Sequence, residues 1–458
     1  MKKKRLKTNK IFQVINIFLL VSSILSCSIS PGAYKEIDNA IDDSNFHQAV
    51  NEIVKKQKGK DAMYSQRNSI MLFLDKGLLE HYAGNYAASS ADLQNAERLI
   101  EEAYTKSISE DFLSYIVNDN VKEYPGEDFE NIYINVFNAL NYYGRNNIEG
   151  ALVEIRKLSN TNGKLDMISR KYDYKDPKTG SGLNDIFNNE TGFSDLPDVK
   201  SVNFSNSALA RYLGALFYQA EGDADSARIE FNQVYKAYSG QRNIYVGNVP
   251  NAVEDAQNVP EGMARLNIIT FTGLSPVKEE QTIIQYLPFQ HPVLQVATFK
   301  LPVLVKRPSQ INRIEVEING AKKFELELLE NMGDVIQETF NAHYSNMYIK
   351  TYIRTIIKYV VADVAAMAAE SQKDSMAFAG LMVAVAARVA TDASERADTR
   401  MSRYLPDKAY IGGINLESGT YSVIINYCNG NNIIYSEKFT NVHVKSGRLN
   451  LLQSVKLK

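Results

Sequence analysis

Apolar residues recur at helical spacing through the first half of the chain, where four segments share one local pattern. Each has a turn-forming residue, then Asn or Asp, a small residue four positions later and a large apolar residue after four more. This order predicts a tight hairpin of two helices, because the small residue lets the helices approach and the apolar residue packs on a neighbour. The three positions are Asn45, Ala49 and Ile53; Asn85, Ser89 and Leu93; Asn147, Ala151 and Ile155; and Asp223, Ala227 and Phe231.

The hairpin pattern resembles the tetratricopeptide repeat (TPR), a helix–turn–helix unit of about 34 residues. The turns are spaced irregularly here, and a polar stretch rich in Gly, Asn and Asp interrupts the helical pattern at about 160–205. We therefore predict an irregular TPR-like α-helical solenoid over residues 27–240, with a long polar loop, followed by a linker at 241–262. A generic helical bundle is the alternative.

The apolar period changes to two in the second half. The segment "RIEVEINGAKKFELEL" turns at Asn319-Gly320 and "GTYSVIINYCNGNNIIYSEKF" turns around Asn429-Gly430, and Asn-Gly between alternating segments is a strong hairpin signal. Residues 263–458 are thus predicted to form an antiparallel β-sandwich-like domain, with an Ala-rich helical insert at about 331–402. The uncharged part of the insert is too short to span a bilayer, which favours a buried helical hairpin. The predicted fold class is α+β.

The N-terminus carries the pattern of an export signal. Six of the first ten residues are Lys or Arg, and an apolar run at 11–25 ends at Ser26-Cys27. The run is short for a membrane span and typical of a signal peptide. A small residue before a cysteine at this point resembles the lipobox of bacterial lipoproteins, which predicts a signal peptide over 1–26, cleavage after Ser26 and acylation of Cys27, with palmitate as an acyl group. A plain secretory signal and an uncleaved anchor are the alternatives.

Charge and cysteine content narrow the picture further. The chain has a net charge of −2 and a pI near 6.3, and therefore no excess of positive charge that would bind nucleic acid. Nucleic acid is not expected as a partner. Cys428 is the only other cysteine and lies in an apolar strand pattern, which predicts a buried thiol. Ser28, rather than Asp, follows Cys27, so the inner-membrane retention signal known from enterobacterial lipoproteins is absent, which favours the outer membrane of a cell that has one.

The sequence offers no catalytic or metal-binding motif, so we predict no cofactor and no metal. Its five histidines are scattered, and the patterns of zinc hydrolases, serine hydrolases and P-loops do not occur. Two polar clusters stand out. The first suits a helix start after Gly126, the second suits ion pairs at the end of a long helix, and either is an alternative interaction site. Their members are Glu127, Asp128 and Glu130, and Glu395, Arg396, Asp398 and Arg400.

Several short sequence segments together resemble a family of uncharacterised bacterial envelope lipoproteins with TPR-like repeats and a C-terminal β-rich domain. They include "GLLEHYAGNYAASSADLQNAERLIEEAYTKSIS", "GLSPVKEE" and "SERADTRMSRYLPDKAYI", and they run in order through most of the chain. The resemblance implies a lipid-anchored envelope protein and hints at envelope or cell-wall assembly. It implies no assigned chemistry.

The leading functional expectation is a scaffold at the cell envelope that binds another protein, because helical solenoids present extended binding surfaces. One alternative is an envelope enzyme acting on a glycan with carboxylates such as Glu127 and Asp128 in a cleft between the two halves. Another is a carrier of an apolar ligand or lipid. The sequence makes no prediction of oligomeric state.

Overall fold

In a computed structural model, the chain is a mixed α+β protein with helices in its N-terminal half and β-sheets in its C-terminal part. The predicted signal peptide 1–26, Cys27 and most of the Ala-rich insert lie outside the described residues. No helix in the described part of the chain is long and apolar enough to cross a membrane. The structure describes residues 31–57, 64–107, 122–159, 163–173, 204–286, 296–342 and 396–458, with 344, 347, 348, 351 and 355.

Eight of the helices pair into four hairpins at the places the sequence predicts. The pairs are α1 with α2, α3 with α4, α5 with α6, and α8 with α9. The helices are α1 (Lys35–Asp42), α2 (Phe46–Lys55), α3 (Ser69–Tyr82), α4 (Tyr86–Ser107), α5 (Asp128–Gly144), α6 (Ile148–Ser159), α7 (Lys164–Asp173), α8 (Ala208–Glu221), α9 (Ala224–Gly240) and α10 (Asn251–Gln257).

The four hairpin turns share one backbone geometry. In each turn, the residue before the predicted Asn or Asp has a positive φ, between 54° and 81°. The Asn or Asp then begins the second helix, as where the Asp223 carboxylate accepts a hydrogen bond from the Ser226 N–H at 3.0 Å. Side-chain oxygens of this kind satisfy amides that the first helical turn leaves unpaired. The residues with positive φ are Ser44, Gly84, Asn146 and Gly222.

The small and large positions of the pattern are buried as predicted. The Ser89 hydroxyl donates to the Gly77 carbonyl of the facing helix at 2.7 Å, so α3 and α4 lie close together. A Cβ at Gly77 would lie 2.8 Å from a methyl carbon of Leu93, and one at Gly214 would lie 2.9 Å from Ile155 of α6. The residues at the four small and four large positions are at most 2% exposed.

Two segments that the sequence predicted as irregular contain helices. Within the predicted loop 160–205, α7 buries Leu165 and Ile168, and Lys164 donates to the Glu97 carboxylate at 2.6 Å. Within the predicted linker, α10 buries its apolar face, and its first amides donate to the Glu327 carboxylate. Both helices are short, so tertiary contacts rather than propensity stabilise them.

The strands form two sheets. In the five-stranded sheet the order is β2-β1-β6-β5, and the first half of β1 also pairs with β9 in parallel; every other pairing of the described strands is antiparallel. The four-stranded sheet has the order β4-β3-β7-β8. The strands are β1 (Ala264–Tyr286), β2 (Val296–Arg307), β3 (Arg313–Ile318), β4 (Lys322–Glu325), β5 (Glu327–Asn331), β6 (Pro406–Leu416), β7 (Gly419–Asn429), β8 (Asn432–Val444) and β9 (Asn450–Lys456).

Both predicted Asn-Gly turns are confirmed as hairpins. Asn319 and Gly320 have φ of 50° and 72° and join β3 to β4, and Gly430 has φ of 58° between β7 and β8. In the first turn, which has positive φ at both central residues, the Ala321 N–H donates to the Ile318 carbonyl at 3.1 Å, and a turn of this hand matches the right-handed twist of the strands that it joins. The free thiol of Cys428 is fully buried in β7, as predicted.

The five-stranded sheet has a core on each face. Ile268 and Ile269 are neighbours in β1 and both are fully buried, on opposite faces. Ile268 packs in an apolar cluster with β3 and β7 of the second sheet, whereas Ile269 belongs to the large cluster that contains the helices. The helical half and the five-stranded sheet therefore share one core, and the two sheets share a second core on the other face.

The predicted helical insert is only partly helical where it is described. Residues 332–342 are helical, but residues 396–405 have no regular secondary structure and β6 begins directly after them. The Asp398 carboxylate accepts a hydrogen bond from the Arg400 N–H at 3.1 Å, a local turn that competes with a helix. Pro406 also disfavours helical geometry in the residue before it. For residues 396–400, the prediction of a helix end is wrong.

Candidate functional site

Residues 396–405, which we call the junction segment, lie against both the helices and the five-stranded sheet. The Leu405 carbonyl accepts a hydrogen bond from the Ser275 N–H of β1 at 2.9 Å. The Tyr404 carbonyl accepts one from the Tyr82 hydroxyl of α3, also at 2.9 Å. The segment thereby joins the two halves of the protein.

Glu130 is the buried acid at the centre of this junction. Its carboxylate accepts hydrogen bonds from the Ser402 N–H of the junction segment, from the Tyr124 hydroxyl at 2.7 Å and from the Glu127 N–H at 2.8 Å. The last bond is half of a capping box at the start of α5, as the acidic turn after Gly126 predicts. Burial and the neighbouring Glu127 charge raise the pKa of Glu130 to about 7.

Two ion pairs surround Glu130. Lys278 of β1, which is almost fully buried, donates to the Glu127 carboxylate. Arg400 makes two bonds to the Asp398 carboxylate, at 2.8 and 2.7 Å, and its guanidinium lies 5.4 Å above the Tyr124 ring. Buried charges need such partners, because an isolated one is costly to remove from water.

A second acid, Asp75 of α3, binds the junction segment next to Glu130, at Ser402 and Arg403. Its carboxylate accepts hydrogen bonds from the Tyr64 hydroxyl at 2.8 Å, the Ser402 hydroxyl at 3.0 Å and the Arg403 N–H at 2.7 Å. Burial raises the pKa of Asp75 to about 6. The Arg403 guanidinium pairs with Asp38 of α1 at 3.0 Å, so three helices contact this short segment.

The structure brings most of the two predicted polar clusters together. Arg396 lies to one side, paired with Glu280 of β1 at 3.1 Å, and Asp128 is the half-buried first residue of α5. Glu395 lies outside the described residues. The predicted residues that meet at the junction are Glu127, Glu130, Asp398 and Arg400.

Glu127 and Glu130 lie at a helix start, as the sequence favoured, and do not form the exposed interaction site that was its alternative. Glu130 is 2% exposed and Glu127 is paired with Lys278, so these carboxylates face the sheet rather than solvent. Their arrangement can hold the two halves of the chain together and bind protons. It does not form an open pair of carboxylates.

A further buried carboxylate, Glu330 of β5, was missed by the sequence analysis. It accepts hydrogen bonds from the hydroxyls of Tyr133 at 2.8 Å, Tyr245 at 2.7 Å and Ser207 at 2.9 Å, and from the Leu209 N–H at 3.1 Å. Burial raises its pKa. Because Ser207 and Leu209 lie at the N-terminus of α8, Glu330 holds β5 against the positive end of that helix.

A surface cavity of about 340 Å³ lies elsewhere, between the helices and the start of β1. Its wall is mostly apolar, and its charged lining residues are Arg265, which is 6% exposed, and Arg448. It is lined by Leu216, Gln219, Ala220, Gly222, Ala224, Ala256, Val259, Met263, Ala264, Arg265, Asn267, Gly447, Arg448 and Leu449.

Comparison with known proteins adds no relative. No protein-family model, curated protein or solved structure matches the chain. Among the described residues, no group of three or more His, Cys, Asp or Glu side chains could hold a metal ion. Functional proposals therefore rest on the chain's own residues.

Proposed function

We propose that this chain is a lipid-anchored cell-envelope protein that acts as a scaffold for protein–protein interaction, with a role in envelope or cell-wall assembly. In this proposal the helical hairpins form an irregular TPR-like solenoid, the two sheets form a β-sandwich-like unit, and the partner is an envelope protein. Acylated Cys27 attaches the protein to a membrane, most simply the outer membrane.

The proposal of a scaffold rests on the repeated packing of the four hairpins. Each uses the same turn, small position and large position, so each presents the outer face of its second helix in the same way. Val153 of α6 and Ile229 of α9 stand at the same place in this pattern, six residues after Asn147 and Asp223, and are 46% and 50% exposed. Exposed apolar side chains at repeated positions suit a binding face.

The proposal of a lipid anchor rests on the sequence of the N-terminal segment. A basic start, a short apolar run and Ser26-Cys27 at its end have the form of a lipoprotein signal. A chain held at a membrane surface meets membrane-bound partners at a raised effective concentration, which suits a scaffold with a modest binding face.

Site-specific photocrosslinking in living cells tests the scaffold. A benzoylphenylalanine residue at position 153 or 229 is expected to give one discrete adduct of the same mass from both positions, because both lie on the proposed face. The matched control is position 433 of β8, where Ile433 is 56% exposed on the sheet half. This position is expected to give no such adduct.

The same experiment has a clear adverse result. If positions 153 and 229 give no adduct, or if position 433 gives the same adduct with equal yield, the helical face is not the binding surface. The enzymatic alternative gains no support from Glu127, whose carboxylate is paired with Lys278.

A further inference from the structure

Arg265 is a buried cation with too few partners. Its Nε donates to the Asn267 side-chain oxygen at 3.1 Å and its Nη1 reaches the Asn415 side-chain oxygen at 3.5 Å. Its Nη2 is buried and has no hydrogen-bond partner among the described residues. The nearest carboxylate to Nη2 is that of Asp255, at 3.9 Å, on a side chain that is 61% exposed.

An incompletely paired buried charge marks a place where an anion is stabilised. A buried donor without a partner costs about 1–3 kcal/mol, and more for a charged group. The pKa of Arg265 is lowered for the same reason, because burial removes the charged guanidinium from water. A guanidinium presents five N–H donors in a plane and is suited to bind both oxygens of a carboxylate.

The surroundings of Arg265 have the shape and lining of a small-molecule binding site. Gly413 of β6 leaves room for the guanidinium, because a Cβ there would lie 3.0 Å from its Cζ and Nε atoms. The cavity that Arg265 lines has an apolar wall that includes Leu216, Met263 and Leu449, and none of its lining residues is acidic. Its volume is at the lower end of small-molecule sites, which run from about 300 to 1,000 Å³.

We propose that this cavity binds a small organic carboxylate with a compact apolar body. The carboxylate pairs with Arg265, and the body lies against the apolar wall. Asp255, being exposed, rotates into solvent, and the ligand carboxylate takes its place opposite Nη2. Arg448, an exposed residue at the mouth, adds a second positive charge that attracts the anion. The site is independent of the proposed scaffold face.

The test compares 3-phenylpropionate with its uncharged isostere 3-phenylpropionamide, using the full-length protein in detergent and ligand-observed NMR titration. We expect saturable binding of the acid and at least tenfold weaker binding of the amide. Asp255→Asn, an exposed change that removes the competing carboxylate, is expected to tighten binding of the acid severalfold. Arg265→Met is expected to weaken it at least tenfold and to leave amide binding unchanged.

A second variant covers the possibility that Arg265→Met does not fold. Ala220 of α8 is half-exposed and lines the cavity, so Ala220→Phe fills the space from its outer side. This change is expected to abolish binding of the acid. The proposal is overturned if the wild type shows no saturable binding of the acid, if acid and amide bind equally, if Asp255→Asn fails to tighten binding, or if Ala220→Phe binds as the wild type does.

Discussion

The most informative single residues are acids buried where the helices meet the sheet. Glu130 and Asp75 both hold backbone amides of the junction segment, and burial raises the pKa of both. The sequence indicated Glu130 as part of a helix start or, alternatively, of an interaction site, because the pattern of α5 does not show what covers its side chain. Its partner Ser402 lies 272 positions away, and no local signal connects two such distant residues.

Glu330 was missed for a related reason. The pairing of β5 with β6 shifts between Leu328 and Glu330, so a residue that strict alternation would assign to one face lies on the other. A bulge of this kind is set by packing against α8 and leaves no distinct pattern in a five-residue strand. The adjacent apolar pair Leu328-Leu329 is the one local sign that alternation fails there.

Glu130 gives a prediction for the pH dependence of stability. The pKa of Glu130 is about 7 in the folded protein against about 4.5 when exposed. The stabilisation of the folded state by the proton on Glu130 is therefore fully present below pH 4.5 and is lost as the pH rises through 7. Glu130→Gln does not titrate. The free energy of unfolding of the wild type is therefore expected to fall relative to that of the variant by up to about 3 kcal/mol between pH 5 and 8.

Urea denaturation of both proteins across this pH range, followed by far-UV circular dichroism, measures the difference. Titrating groups that do not interact with Glu130 act equally in the two proteins and cancel, among them His81, whose pKa burial lowers to about 4. Parallel stability curves for wild type and variant would show that Glu130 does not bind its proton in the folded state.

At the scale of elements, the parts that local geometry dictates were predicted well. All four helical hairpins and both Asn-Gly hairpins occur where the sequence indicates, because each turn requires a residue that tolerates positive φ. The short helices α7 and α10 and the non-helical junction segment were not predicted. Their conformation depends on contacts with distant residues, such as Glu97 for α7 and Glu327 for α10.

The turn between α8 and α9 provides a prediction with a matched control. Gly222 has φ of 81° with nothing near its missing Cβ, so Gly222→Ala introduces backbone strain without a clash. We expect it to destabilise the protein by about 1 kcal/mol. Gly240, in the last turn of α9, also has open space but no positive φ. Gly240→Ala is therefore expected to stabilise by a few tenths to about 1 kcal/mol.

Denaturation midpoints of the two variants, compared with that of the wild type, measure these effects. The opposite signs are essential, since both variants add the same methyl group to the same hairpin. Equal effects of the two substitutions would mean that the left-handed turn is not under the constraint that the hairpin pattern requires.

For the whole molecule, the sequence predicted an α+β protein, and the structure agrees. It did not predict how closely the halves are joined. Apolar residues from α1 to β9 belong to one cluster, and the junction segment contacts α1, α3 and β1. The shared core and the junction segment hold the helices against the five-stranded sheet, an arrangement that is compatible with the proposed scaffold.

The claim that this scaffold is held at a membrane by Cys27 is tested most directly by the mass of the mature N-terminal peptide. The protein is purified from membranes of its native cells and digested, and the peptide is measured by mass spectrometry. We expect a peptide that begins at Cys27 and carries the added mass of a diacylglyceryl group. A peptide that begins at another residue, or one with an unmodified Cys27 thiol, would contradict it.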